Sequence, residues 1–239
     1  MAPVSDGGRP EGARIVVTGA SRGLGRALAE AFAAEGARLV LTATRVGHLD
    51  SVAGRLRRNG TEVHALALEL GDPDAARRVG FDAIAALGRV DVLVNNAGVL
   101  GERRPLADYP MDVWERVLAV NVTGVLALTQ AVLPGMADGG AVVNVTSGAA
   151  GRPGWGAYAI SKLAIDGITG ILREELAPRG IRCVAINPGA TRTSMRAAAY
   201  PAEDPGTVPA PSARVAPFLA VAAGADPGPH VEAAEWTGR

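Results

Sequence analysis

Six short runs of β-branched and aliphatic residues alternate along the chain with longer Ala- and Leu-rich stretches of helical periodicity. The apolar runs fall at 14–18 (RIVVT), 38–43, 62–68, 90–95, 141–146 and 182–187. Helical stretches occupy 22–35, 48–59, 72–87, 112–133 and 157–176, stopped by Gly36, Gly60, Pro134 and the Pro178-Arg179-Gly180 step. Asp72-Pro73 supplies a cap followed by a first-turn proline. Strands without a polar face must be covered on both sides, and strands joined through helices run parallel. The alternation therefore predicts an α/β fold: a doubly wound parallel sheet of the Rossmann type in a three-layer α/β/α sandwich.

No repeat or linker interrupts the series, so a single domain is expected over 13–239, preceded by a disordered tail at 1–12. After Asn187 the pattern breaks, with Pro201, Pro205, Pro209 and Pro211 in one irregular stretch. A connection that long is usually functional or mobile, and a substrate lid is expected near 190–212. A last helix near 212–223 and a short strand near 230–234 would close the sheet edge.

With 239 residues, 48% of them hydrophobic, the chain can bury a core without a disulfide or metal. Its 24 bases balance 24 acids, which argues against a general nucleic-acid binder. Cys183 stands alone, and His48, His64 and His230 have no metal-ligand spacing, so no metal site is expected. The first residues lack the apolar core of a signal peptide, and no apolar run approaches the roughly 20 residues of a membrane helix. A cytoplasmic protein without membrane or nucleic-acid partners is the expectation. Of the 24 basic residues, 23 are arginine and one, Lys162, is lysine. In a chain that drifts so far toward arginine, a surviving lysine points to a place where a compact, rotatable ammonium is needed.

The first strand turns into the first helix through Thr18-Gly19-Ala20-Ser21-Arg22-Gly23-Leu24-Gly25. Glycines here let the backbone approach a pyrophosphate, and the helix N-terminus offers free N–H groups and a positive dipole end. The spacing is G-x-x-x-G-x-G rather than G-x-G-x-x-G, and a bland tight turn is the competing reading. At the end of the second strand an NAD site usually presents an acid to the ribose 2′-hydroxyl. Here the strand ends Thr42-Ala43-Thr44-Arg45, with no acid. Arg22, Thr44 and Arg45 would instead suit a 2′-phosphate, so NADP(H) is favoured over NAD(H).

Tyr158-Ala159-Ile160-Ser161-Lys162 places a tyrosine and the sole lysine on one helix face. A cation held beside a phenol favours the phenolate and would bring its pKa, ordinarily about 10, toward the working range. With TGASRGLG (18–25), NNAG (95–98), Asn121 in VNVTG, Ser147 ending VVNVTS, YAISK (158–162) and NPGATRT (187–193), the chain resembles the short-chain dehydrogenase/reductase family, in its compact single-domain branch.

The resemblance implies an oxidoreductase that moves a hydride between a nicotinamide and a ketone, aldehyde or secondary alcohol. Ser147 would bond the substrate oxygen, Tyr158 would exchange the proton, and Lys162 would lower the tyrosine pKa and bind the nicotinamide ribose. Asn121 would hold a water in a proton relay. Asn95, Ala97 and Gly98 would line the cofactor, with Pro188, Gly189, Thr191 and Thr193 at its nicotinamide end. Asn121 could also merely bond local backbone, and Thr193 could be a helix cap. The family usually meets adenine with an Asp after the third strand; Glu69 stands there, followed by Leu70. Eleven positions separate Ser147 from Tyr158, two fewer than usual, so the connecting loop must be tighter, and Thr146 could in principle take the serine's role. Tyr200 and Met195 in the lid suggest a partly apolar substrate. A homodimer or homotetramer is expected from the apolar helices 112–133 and 157–176. A non-catalytic nucleotide sensor would be expected to lose Tyr158 or Lys162, and an epimerase or dehydratase to carry a longer substrate domain.

Overall fold

The computed structural model describes residues 12–238. Seven strands form one sheet: β1 (Arg14–Val17), β2 (Arg38–Ala43), β3 (Val63–Ala67), β4 (Val90–Asn95), β5 (Met136–Val145), β6 (Arg182–Asn187) and β7 (His230–Glu232). Their order is β3-β2-β1-β4-β5-β6-β7, and every neighbouring pair is parallel. The helices are α1 (Gly23–Ala34), α2 (Asp50–Arg58), α3 (Pro73–Leu87), α4 (Met111–Leu118), α5 (Gly124–Val132), α6 (Gly156–Leu176), α7 (Ser194–Ala199) and α8 (Ala216–Ala222).

A strand sends successive side chains to opposite faces, and here both faces are dry. Ile15, Val17, Leu39, Leu41, Val92 and Val94 point into a core shared with α1, α2 and α8. Val16, Val40 and Leu93 point the other way, against α3, α5 and α6. This is the doubly wound three-layer sandwich that strands without a polar face demand. The chain starts at β1, builds outward to β3, then returns to β4 on the other side of β1. The sheet's switch point, where such folds bind ligands, therefore lies at the carboxyl ends of β1 and β4.

Several details depart from the sequence expectation. The expected tail falls on residues 1–11, outside the described residues, whereas Gly12 donates its N–H to the Gly36 carbonyl at 3.1 Å. Strand β5 starts five residues early, at Met136, with a register shift opposite Val90 and Val92. The helix expected at 48–59 opens with a 3-10 turn, Val46–Leu49. The helix expected at 112–133 is split by a π turn, Ala119–Thr123. Its whole helical run, Met111–Gly135, is long and apolar enough to cross a membrane, with a mean hydropathy of 1.7 over its most apolar window, contrary to the expectation that no stretch approaches that length. Half of that window is buried, and α5 packs on α3, as in a core helix. The lid stretch is not wholly irregular: Thr193 caps α7 by accepting the Arg196 N–H at 3.1 Å.

Candidate active site

A cavity of about 720 Å³ opens at the carboxyl ends of the strands. Gly19, Ser21, Arg22, Gly23, Leu24 and Gly25 form one wall; Thr44, Glu69 and Leu70 lie at its β2–β3 end, and Ala97 and Gly98 follow β4. Ser147, Tyr158, Lys162, Pro188, Gly189, Thr191 and Thr193 line the opposite end. Three residues expected at the site do not reach the wall. Arg45 is exposed at the N-cap of the 3-10 turn, with extended backbone. Asn95 and Asn121 turn inward and serve the frame.

The Asn95 side chain donates to Thr129 Oγ1 at 3.0 Å and Asn144 Oδ1 at 2.8 Å, so it ties β4 to β5 and α5. Its neighbour Asn96 lines the cavity in its stead. Asn96 Nδ2 donates to the Thr18 and Gly19 carbonyls at 2.7 and 3.3 Å, and Thr18 Oγ1 accepts the N–H groups of Asn96 and Ala97 at 2.9 and 3.0 Å. The glycine turn is thereby fastened to the β4 loop. A Cβ on Gly25 would lie 2.3 Å from the Gly19 carbonyl oxygen, so only glycine lets α1 start this close to the turn. Arg22, the N-cap of α1, offers no side-chain cap, which leaves the first N–H groups free to meet an anion. Two further hydroxyls on the wall, Thr42 Oγ1 and Thr146 Oγ1, are buried without partners. A cradle with free helix amides, close-approach glycines and unpaired buried hydroxyls fits a phosphorylated polar cofactor.

Asn121 sits in the π turn between α4 and α5, a form of helix that often marks functional sites. Its Oδ1 accepts the Val99 N–H at 2.8 Å, and its Nδ2 donates to the Val99 carbonyl at 2.9 Å and to Ser161 Oγ at 3.0 Å. Ser161 Oγ in turn donates to the Tyr158 carbonyl at 2.8 Å. Asn121 thus braces the α6 turn that carries both Tyr158 and Lys162. A Cβ on Gly98 would come within 3.1 Å of its Oδ1, so the loop runs close over it.

Tyr158 is buried, and burial holds its phenol above the ordinary value, with a hydrogen bond from Ser147 acting the other way. The ammonium from which its acidification is expected is turned toward the backbone. Lys162 Nζ donates to the Val145 carbonyl at 2.7 Å and lies 5.7 Å from the centre of the tyrosine ring. Its pKa is lowered by burial to about 8, with Asp166 opposing. Ser147 Oγ accepts the Ala149 N–H at 3.1 Å, which fixes its side chain at the end of β5. The short loop to α6 closes on Gly156, at φ +49°, where a Cβ would lie 1.9 Å from the Tyr109 ring.

Over the tyrosine the cavity has a roof drawn from three loops. The Arg103 guanidinium, after β4, lies 4.4 Å from the Trp155 ring centre and 4.9 Å from that of Tyr200, and it donates to the Ala199 carbonyl. Arg196 stacks on Tyr200 at 3.8 Å while its guanidinium forks onto Glu203 at 2.6 and 2.7 Å. Trp155, Met195, Arg196, Ala199 and Tyr200 all line the cavity. Of these, Met195, Arg196, Ala199 and Tyr200 fall in the lid expected near 190–212, and Met195 and Tyr200 alone were singled out there. His48, Arg116 and Asn187 on the wall were also missed; of the three, only Asn187 stood in a quoted motif, NPGATRT.

The family model described as short chain dehydrogenase matches residues 13–204. Over 209 residues the chain is 37% identical to an uncharacterized oxidoreductase, YciK, of Escherichia coli, covering 83% of this chain and 81% of the relative. A structure from Shigella flexneri, described as a short chain dehydrogenase complexed with NADP, superposes with a TM-score of 0.88 at 33% identity, covering 96% of this chain and 100% of the other. A second, from Escherichia coli CFT073 and complexed with NADPH, gives a TM-score of 0.86 at 33% identity over 95% and 99% of the two chains.

Proposed function

The chain belongs to the short-chain dehydrogenase family, and on that footing we propose that it moves a hydride between NADP(H) and a ketone, aldehyde or secondary alcohol. The observation that carries this reading is the convergence of Ser147, Tyr158 and Lys162 on the cavity that the glycine turn opens. NADP(H) is supported by the missing acid after β2, by Arg22 on the wall and by the relatives solved with NADP or NADPH.

The nicotinamide, when bound, supplies or accepts the hydride. The free amides at the start of α1 and the glycine turn would hold its pyrophosphate, and Lys162 its nearby ribose. In the reduction direction, Tyr158 donates its proton to the carbonyl oxygen, and burial keeps that proton in place until a substrate arrives. Ser147 donates to the same oxygen as charge develops on it. Asn121 acts through Ser161, holding the α6 turn so that the phenol and the ammonium face one point; it is a positioning residue.

The roof residues Trp155, Met195 and Tyr200 favour a substrate with an apolar portion. Leu163 and Ile171, 54% and 60% exposed on α6, support pairing of this helix with a second copy in a homodimer or homotetramer. A cytoplasmic location completes the proposal, in keeping with the lone buried thiol of Cys183. The test is oxidation of NADPH and of NADH by the purified chain with a panel of ketones, quinones and aldehydes. Faster turnover with NADPH on at least one carbonyl is expected. Tight nucleotide binding with no turnover on any carbonyl or alcohol would favour a sensor instead.

A further inference from the structure

Asn187, the last residue of β6, is buried and lines the cavity, although neither the proton nor the hydride passes through it. Its Oδ1 accepts the Gly189 N–H at 2.9 Å, closing the turn that carries Pro188 and Gly189. An amide has one oxygen, so the nitrogen faces the other way and needs an acceptor of its own. Glu232 on β7 supplies it, with Oε2 2.7 Å from Asn187 Nδ2. The backbones are tied at the same place, where the Ala233 N–H donates to the Asn187 carbonyl at 2.8 Å. We propose that Glu232 is a positioning residue for hydride transfer, acting through Asn187 to set where the nicotinamide end of the cofactor lies. The inference deepens the NADP(H) reading given above and rests on it.

The carboxylate is itself held in place. His230 Nε2 lies 3.0 Å from Glu232 Oε1, and because a carboxylate only accepts, the ring nitrogen is the donor. Across the ring, Nδ1 lies 3.9 Å from Asp166 Oδ1 on α6, about one helical turn past Lys162. The two oxygens of Glu232 therefore have separate duties, one toward the histidine of its own strand and one toward the turn after β6.

Asn187 also reaches the serine side of the site. A Cβ on Gly148, the residue after Ser147, would lie 3.2 Å from Asn187 Nδ2, so the glycine leaves room for the amide to come close. One side chain thus stands between the loop that carries Ser147 and the turn that carries Pro188 and Gly189. Without its acceptor the buried amide would rotate toward another partner and release the Gly189 N–H as it did so. The glycine turn is fastened separately, to the β4 loop through Thr18 and Asn96, so the adenosine end does not depend on this chain of bonds.

The experiment measures dissociation constants of the full chain for NADPH and for adenosine 2′,5′-bisphosphate, which lacks the nicotinamide half, together with kcat on the best carbonyl of the panel. Glu232→Ala should weaken NADPH about five- to tenfold and lower kcat about tenfold, with the bisphosphate affinity held within about twofold. Glu232→Gln keeps an oxygen for Asn187 and should stay within about threefold of wild type in all three measurements. A swap tests the same bond without the alanine. Asn187→Asp sets two carboxylates against each other and should weaken NADPH about tenfold, and adding Glu232→Gln, whose amide can donate, should recover most of that loss. Unchanged NADPH affinity and kcat in Glu232→Ala, an equal loss of both nucleotides, or no recovery in the swap overturns the role of Glu232 alone. A wild-type chain that binds neither nucleotide overturns the NADP(H) reading as well.

Discussion

The floor and the roof of the cavity are built by opposite means. Beneath Ser147 and Tyr158, polar side chains are sealed in the core and paired with one another. Asn95 bridges Thr129 and Asn144, Asn144 donates to Thr169 at 2.9 Å, and the two threonines bond back into their own helices at 2.8 and 2.7 Å. Asn95 Oδ1 alone in this chain of bonds is buried without a partner, and any shift would strand further buried polar groups. The roof has no comparable relay. Arg103, Trp155, Tyr200 and Arg196 stack cations on rings, and Arg103 itself is exposed. Stacking of this kind is broad in geometry and loses little when a ring slides. The floor fixes the reacting atoms, and the roof can give way to admit a substrate.

The sharpest test of the floor is Tyr158→Phe, which removes the proton donor and keeps the ring. Turnover should drop about 10²- to 10⁴-fold while NADPH affinity and melting temperature hold. A variant retaining a tenth of the turnover would detach the phenol from the chemistry. Next in size is Asn144→Ala, which leaves one Asn95 donor without a partner and takes from the Thr169 hydroxyl the bond it accepts. The cost should be about 2 kcal/mol, or about 4–8 °C of melting temperature for a chain this long. An unchanged melting curve would mean that the buried chain of amides does not hold the floor together.

Lys162 offers a third test, through pH. Its ammonium is lowered by burial to about 8, so the fraction able to meet a ribose hydroxyl as a cation declines above that pH. The kcat/KM for NADPH, which reports groups of the free enzyme, should therefore fall about tenfold per pH unit beyond about pH 8. Stability moves the other way for this group: between about 8 and the ordinary lysine value of 10.5 the unfolded chain binds the extra proton, so its contribution grows with pH. Cys183, raised by burial from 9.0 to about 11, acts oppositely above pH 9, so the profile is best read below that point. Lys162→Met should show a low plateau with no limb. A limb that survives in this variant belongs to another group.

The sheet was legible because its central strands, β1, β2, β4, β5 and β6, are apolar on both faces, a pattern with few other homes. The helix 112–133 was legible as a helix but not as a broken one, since nothing in the local propensity of the VNVTG stretch announces a π turn. The glycine turn, Ser147, Tyr158 and Lys162 could be placed from order and spacing because strand ends and helix starts bring them to one edge. Asn95 was misplaced because neighbouring positions at a strand end point to opposite sides, and the pair Asn95-Asn96 reads the same either way. The electrostatics were least legible. Spacing puts Lys162 on the tyrosine's face, but only coordinates reveal that its ammonium is taken by the Val145 carbonyl and that burial dominates the phenol. Trp155 and Arg103 come from loops, where sequence carries no periodicity to count, and His48 sits on the 3-10 turn that opens the helix expected at 48–59.

The smallest effect, and the one that separates roof from floor, is expected from Arg103→Ala. The change removes a cation from two rings and a donor from the Ala199 carbonyl, all at the exposed rim. Exposed cation–π contacts contribute about 0.5–1 kcal/mol each, so their loss should loosen the segment bearing Tyr200 without touching Ser147 or Tyr158. The KM of the carbonyl substrate should rise about three- to tenfold, while kcat stays within about twofold and the melting temperature within about 2 °C. That split marks binding energy used equally in the ground and transition states. A fall in kcat at unchanged KM would have the opposite meaning. It would place Arg103 among the groups that align the reacting atoms, and the roof would then be as strictly positioned as the floor beneath it.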